Sequence, residues 1–354
     1  MHILQLGPFP PPHGGVQTNI LAIRDELLRN NHQCSIVAIT RSAKITDEKN
    51  VYHPRGAAEL LRLLRTLKYD VLHLHIGGNV PLRVLGLILA CAKIARGKSV
   101  MTFHSGGYAL EAVRTAGFWT REGYIFRQLT KIIAVNEVMV EMFQKFGVKP
   151  RNIQLISPFV LNRPDESVNI PSKFQEFWNR HERILLAVSG LEPEYDLPLQ
   201  INGLEHVREK IPDAGLIIVG AGSLEQDLRA LIDSKPYANH ILLAGDTKHE
   251  IVLHLIEKCD ALLRTTIYDG DAISIREAIY LGTPVVATDN KMRPAGVELI
   301  PARPTIQTFA SKVIEVLSKK TKQKSAANSN GRENVEAVLN LYQEIIEKRN
   351  ARKI

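Results

Sequence analysis

Cysteine is scarce: Cys34, Cys91 and Cys259 are all that 354 residues hold. An odd number at wide spacing, each in an apolar stretch, excludes a disulfide framework and a zinc pattern and fits reduced core thiols of a cytosolic protein. Long apolar runs are missing too. The most apolar, Val84 to Ala92 between Arg83 and Lys93, is about half the ~20 residues that a spanning helix needs. The first residues lack the basic segment of a secretory leader and begin at once as an apolar strand, so a chain without leader or membrane span is the expectation. Two nucleotide signatures are also absent. The first strand runs into Gly7-Pro-Phe-Pro-Pro-Pro-His-Gly-Gly15 rather than Gly-x-Gly-x-x-Gly, and Gly220-Ala-Gly-Ser-Leu-Glu225 lacks a third glycine. Gly97-Lys-Ser99 has Ala92 where a P-loop needs its first glycine, and it leads into a strand rather than a helix. A dinucleotide dehydrogenase and a P-loop ATPase or kinase are thereby excluded.

What is present is an ordinary soluble composition, 45% apolar and 23% charged, at a length that suits two domains with separate cores. Net charge is +8. The positive excess lies in residues 1–165, and the remainder is close to neutral. A basic first half implies an anionic partner, whether nucleic acid, an acidic membrane surface or a phosphorylated substrate; the alternative is a basic surface that only confers solubility.

Strand and helix patterns alternate throughout, which predicts a parallel α/β architecture. Strands are expected at 2–6, 35–39, 71–75, 99–103, 131–135 and 153–156, and helices at 16–29, 57–67, 84–95 and 137–146. In the first helix Ile20, Ile23, Leu27 and Leu28 share a face. The charged, Pro- and Ser-containing stretch 162–182 reads as a linker with a helical turn at 173–180. The pattern then restarts, with strands at 184–188, 215–219, 240–244 and 261–264 and helices at 199–209, 224–233 and 249–258. Residues 318–332 are a polar tail. Val335, Val338, Leu339, Tyr342, Ile345 and Ile346 mark a last amphipathic helix. The expected domains are 1–165 and 166–332, with helix 333–354 joining the first.

The stretch from Arg264 to Asp289 carries the most chemistry. It reads as a polar loop, a short helix, a Gly-Thr-Pro turn and a buried strand. Small residues and a hydroxyl (Gly270, Ala272, Ser274) surround the helix start, whose unpaired N–H groups and positive dipole end suit a phosphate. Asp269 stands in the loop and Glu277, eight residues on, about a turn into the helix. An acid there can accept hydrogen bonds from hydroxyls such as those of a ribose.

This segment resembles the donor motif of the GT-B glycosyltransferases of retaining family 4, Glu-x7-Glu followed by Gly-x-Pro-Val-Val-Ala, with Asp269 at the first Glu. Other landmarks follow in the family's order: Gly14-Gly15, Asp70-Val-Leu-His-Leu-His75, Thr102-Phe-His104, Ile133-Ala-Val-Asn136, Gly220-Ala-Gly222 and Gly245-Asp-Thr247. The resemblance implies two Rossmann-like domains facing across a cleft, with the C-terminal helix returning to the first. It implies a nucleotide-diphosphate sugar held by the second domain and a lipid-linked or polysaccharide acceptor held by the first. Glu277 would bind ribose hydroxyls, Asp269 and His104 would act on the sugar, and the backbone of Gly270, Asp271, Ala272, Ile273 and Ser274 would cradle the diphosphate. Gly14 and Gly15 would approach the donor, and Gly222, Asp246 and Thr247 the nucleotide. Catalysis would need no metal or other cofactor, retention coming from front-face attack assisted by the leaving phosphate. The setting implied is bacterial cell-surface glycan assembly by a cytoplasmic enzyme peripheral to the inner face of the plasma membrane. Two rival roles share the fold, an NDP-sugar 2-epimerase and a non-catalytic subunit of a glycan assembly complex.

The chain departs from that pattern after its first second-domain strand. Gly190 and Tyr195 occupy the places of the Arg and Lys that neutralise the diphosphate, while Arg264 stands where the family has Pro. Arg264 is therefore the expected replacement cation, with Arg293 a second candidate. Three further patterns admit other readings. Asp269-Gly-Asp271 fits the metal motif of the GT-A fold, and His73, His75 and His104 suggest either zinc or residues lining a cleft. Arg114–Lys131 interleaves Phe118, Trp119, Tyr124 and Phe126 with Arg114, Arg121, Arg127 and Lys131, as an interfacial helix on an anionic membrane would, or a helix with its aromatics in the core. No nucleic-acid motif accompanies them, so no nucleic-acid partner is expected.

Overall fold

A computed structural model of the chain describes residues 1–11, 14–39, 48–268, 271–319 and 331–351. Its contacts divide into two units, Met1–Val160 with Gly331–Ile354, and Leu161–Asn330. In the first unit the order is β1 (His2–Gly7), α1 (Gly15–Arg29), β2 (Gln33–Ala38), β3 (Val51–Tyr52), α2 (Ala57–Thr66), β4 (Val71–Ile76), α3 (Leu82–Ala95), β5 (Ser99–Phe103), α4 (Gly106–Thr115), α5 (Arg121–Phe126), β6 (Lys131–Ala134), α6 (Glu137–Lys145) and β7 (Ile153–Leu155). All strand pairs are parallel, in the order β3-β2-β1-β4-β5-β6-β7. Strands covered on both faces are largely apolar, and β1 and β4 are buried almost end to end, with Gln5, His73 and His75 the polar exceptions. One face packs under Leu85, Ile88, Phe126 and Phe143, the other under Ile20, Ile23 and Leu27 of α1. Leu28 is a correction: one helical step past Leu27 it turns outward and is 53% exposed.

The second unit repeats the plan with α7 (Ser172–Arg180), β8 (Arg183–Val188), α8 (Leu197–Arg208), β9 (Ala214–Val219), α9 (Glu225–Asp233), β10 (Ile241–Gly245), α10 (His249–Lys258), β11 (Ala261–Arg264), α11 (Ile273–Leu281), β12 (Val285–Thr288), β13 (Glu298–Ile300) and α12 (Ile306–Ser318). Its six parallel strands run β10-β9-β8-β11-β12-β13. The second half of the expected linker belongs to this core. Phe174 and Phe177 of α7 are fully buried beneath Ile184 and Leu186 of β8, and each aromatic so buried contributes about 1.5–3 kcal/mol.

The last helix, α13 (Arg332–Ala351), lies in the first unit. Val335, Val338, Leu339, Tyr342 and Ile345 form its apolar face against α1, and the Tyr342 hydroxyl is 2.5 Å from His73 Nδ1 on β4. Lys131 Nζ pairs with Glu344 at 3.2 Å and donates to Arg151 O. Among the described residues no helix is long and apolar enough to cross a membrane.

Candidate functional site

In a doubly wound sheet the chain leaves the two central strands in opposite directions, which opens a crevice at their carboxyl ends. In the second unit those strands are β8 and β11. After β8 the chain enters α8, whose Leu199, Ile201 and Leu204 pack into one core; after β11 it enters α11, whose Ile275 and Ala278 pack into the other. The loops at this point are tied together. Thr265 Oγ1 donates to Tyr195 O at 2.6 Å and accepts from Gln200 Nε2 at 2.8 Å, and Ile267 N donates to Glu194 O at 3.0 Å.

Arg264 closes the end of β11. Its Nη1 donates to Val188 O, the last carbonyl of β8, at 2.6 Å, and its guanidinium lies 4.8 Å from the Tyr195 ring centre. The two departures from the family pattern, Tyr195 for a cation and Arg264 for Pro, are thus in contact. Arg293, the second candidate cation, donates to Thr288 O at 2.9 Å and Thr266 O at 3.1 Å, so it clamps the loops after β11 and β12.

Helix α11 is preceded by Ala272, which has no side-chain oxygen to cap the first turn. Ser274 is buried in that turn, and Ile273 and Ala272 are largely enclosed. Asp271 faces along the helix rather than outward, with Oδ1 and Oδ2 accepting from Arg276 Nε and Nη2 at 2.9 and 3.3 Å. Glu277, a turn further, is 2% exposed and accepts from His249 Nε2 at 2.5 Å. Burial opposes a charge on His249, but the hydrogen bond and negative charge of Glu277, with Glu250 beside it, raise its pKa above the ordinary 6.5. Asp269 and Gly270 lie outside the described residues.

The glycine turns occupy the next strand ends. Gly220 has φ +143°, and a Cβ there would meet Ser189 O at 1.8 Å; one on Gly222 would meet Leu191 O at 2.5 Å. These glycines let the loops after β8 and β9 pack backbone to backbone, through Leu191 N→Ala221 O and Leu224 N→Leu191 O. Asp246 is exposed beyond β10, and Thr247 is buried with Oγ1 donating to Gly245 O at 3.2 Å.

In the first unit Gly14 caps α1 and Gly15 opens it, again without a side-chain cap. His104 follows β5, its N–H donating to Ile76 O at 2.7 Å. His73 and His75 correct the expectation of a lined cleft, since both are buried, His73 against Tyr342 of α13 and His75 against Gln5 of β1. Gln5 orders them. Its Nε2 donates to Ile20 O, so its Oε1 accepts from His75 Nε2 at 3.0 Å. His75 Nδ1 is then bare and accepts from His104 Nε2 at 3.4 Å, which leaves His104 Nδ1 as an acceptor. Burial pushes His104 down to about 3, so this ring is a neutral hydrogen-bond partner. Among the described residues no group of three His, Cys, Asp or Glu side chains could hold a metal ion.

Gly222, Asp246, Thr247, Arg264, Asp271, Ala272, Ile273, Ser274 and Glu277 thus gather at the carboxyl ends of the second sheet, while Gly14, Gly15 and His104 stand at those of the first. Sequence reasoning missed His249 and the Gln5–His75 pair. Neither has a local signal, since the His249–Glu277 pair spans 28 positions and the Gln5–His75 pair 70.

Known proteins share this architecture. Residues 13–160 match the family profile Glycosyltransferase Family 4, and residues 169–334 match Glycosyl transferases group 1. The chain belongs to the GT-B glycosyltransferases of this family. A mannosyltransferase of Mycolicibacterium smegmatis, GDP-mannose-dependent and acting on phosphatidylinositol monomannoside, is 24% identical over 310 residues, 80% of this chain and 79% of that one. The poly(ribitol-phosphate) α-N-acetylglucosaminyltransferase of Staphylococcus aureus is 29% identical over 185 residues, 51% of this chain. The chain spans only 35% of that enzyme's length, and 23% of an uncharacterized Methanocaldococcus jannaschii glycosyltransferase to which it is 31% identical over 94 residues. Among solved structures, Anabaena HepE in complex with UDP and glucose has the same fold, with a TM-score of 0.68 over 99% of this chain and 100% of that one, at 18% identity.

Proposed function

We propose that the protein transfers a sugar, with retention and without a metal, from a nucleotide-diphosphate sugar to a lipid-linked or polysaccharide acceptor in bacterial surface-glycan assembly. The observation that carries this reading is Glu277: a buried carboxylate on a helix whose uncapped start lies at the crevice between β8 and β11. The helix start suits the diphosphate, the carboxylate the ribose, and Arg264 the phosphate charge. His104, at a strand end of the first unit, is a neutral ring of the kind that accepts from a sugar hydroxyl. Chemistry then rests on orientation and on stabilising the departing diphosphate. The test is a panel of UDP- and GDP-sugars followed by thermal shift and product analysis. Stabilisation by at least one donor, with transfer to a saccharide or lipid-linked acceptor, is the expected result. Epimerised donor, or no binding by any member, would refute the reading.

The acceptor side carries a membrane proposal. Trp119 is 93% exposed, and Phe118 and Tyr124 are about half exposed, on the turn between α4 and α5 and the start of α5. Arg127 lies 3.8 Å from the Phe118 ring centre. Phe126 and Lys131 are buried and drop out of the contact. Aromatics at headgroup depth beside arginines suit an anionic bilayer, where the enzyme would work from the cytoplasmic side. Vesicles rich in anionic lipid should retain the protein at low salt, and Trp119→Ala should weaken retention about tenfold, the loss of one large interfacial side chain. Equal retention of both forms, or none of either, would count against it.

A further inference from the structure

Glu277 is 2% exposed in the middle of α11, and an enclosed carboxylate is costly unless a partner compensates it. The partner comes from a different element. His249, the first residue of α10, reaches Glu277 Oε1 through Nε2 at 2.5 Å while its own side chain remains 29% exposed. Among the described residues, Glu250 lies beside His249 on α10, and on α11 Arg276 pairs with Asp271. The pair therefore ties the only carboxylate assigned to a ribose to the helix that follows the Gly245-Asp246-Thr247 turn.

We propose that His249 is a positioning residue of the donor site, holding the Glu277 carboxylate so that it accepts from the vicinal hydroxyls of a ribonucleoside diphosphate and discriminates against the 2′-deoxy form. This rests on the donor-site reading of Glu277. The imidazole N–H fills one lobe of Oε1 and fixes the carboxylate plane, so the remaining lone pairs point in set directions. A carboxylate free to rotate would pay that ordering on binding and would tolerate a missing hydroxyl better. Glu277 raises the pKa of His249, so the grip is complete below the free-imidazole value of 6.5 and relaxes as pH rises through the raised value and the ring loses its charge.

The test is titration calorimetry of the full chain with UDP, GDP and their 2′-deoxy analogues, using whichever base binds more tightly. The wild type should prefer the ribonucleotide by about tenfold, the worth of one hydrogen bond to a charged group. In His249→Ala that preference should fall close to one, with the deoxy analogue bound as before. His249→Gln, which keeps an N–H donor without the charge, should restore much of the preference and remove its decline as pH rises above the free-imidazole value. A wild-type preference in His249→Ala, while Glu277→Ala loses it, overturns the role of His249 and leaves the donor site standing. Retained preference in Glu277→Ala, or no binding of either nucleotide by the wild type, overturns both.

Discussion

Glu277→Ala is expected to lower donor-nucleotide affinity at least a hundredfold, because two hydrogen bonds from ribose hydroxyls to a charged group are together worth about 3–6 kcal/mol. The fold should survive. The carboxylate is buried, but its partner His249 is partly exposed and can give up its proton once the ion pair is gone. The stability cost should be about 1–3 kcal/mol, that of breaking a hydrogen-bonded pair with one end near water. The pH dependence separates this from general damage. His249 has a raised folded-state pKa, so its pairing stabilises the native protein fully below the free-imidazole value of 6.5 and is lost as pH rises through the raised value. The wild type should therefore lose melting temperature across that window, and Glu277→Ala should lose less there. Calorimetric titration of UDP and GDP with parallel melts decides it. An unchanged dissociation constant would remove Glu277 from the donor site.

The parts of the molecule that could be read from the chain are those in which meaning is local. Short, largely apolar stretches identified β1, β4 and β8, as parallel strands covered on both faces require. The helix start before Ile273, with Glu277 behind it, was legible because the residues are contiguous. Short or masked patterns were not. β3 has two residues and β13 three, too few for a period to declare itself. α7, expected as a helical turn within the linker, sets Phe174, Phe177 and Trp178 among polar residues, so its charge obscured its docking face. Long-range pairs were invisible for another reason. The spacing of His73 and His75 placed them on one side of β4 but could not say which element covers that side. The answer is Tyr342, 269 residues away on a helix that returns to the first unit. Likewise only the strand order, with β8 beside β11, brings Tyr195 to Arg264 and turns two separate departures from the family pattern into one contact.

That contact sets the second large expectation. Arg264→Ala should both destabilise the second unit and weaken diphosphate binding, and the two effects can be separated. Arg264 is 8% exposed, donates to Val188 O and stacks on Tyr195, so its removal leaves a buried carbonyl short of a partner and a void beside the ring. Each of those losses is worth about 1–3 kcal/mol. Gly190 adds to the argument, since a Cβ there would lie 3.1 Å from the Tyr195 ring, so a side chain at that position would press on the ring that supports Arg264. The guanidinium has five N–H donors, and its charge can meet phosphate oxygens in place of the cations absent from the loop after β8. Uridine and UDP, or guanosine and GDP, distinguish the roles. If Arg264 only braces the loops, Arg264→Ala should weaken nucleoside and diphosphate alike. If it also neutralises the diphosphate, the diphosphate should lose about tenfold to a hundredfold more than the nucleoside, the range of one or two charge-assisted hydrogen bonds. Arg264→Lys keeps the charge without the planar stack or the fork. It should recover part of the diphosphate preference while remaining less stable than the wild type, and an equal loss for both ligands would end the case for Arg264 as the displaced cation.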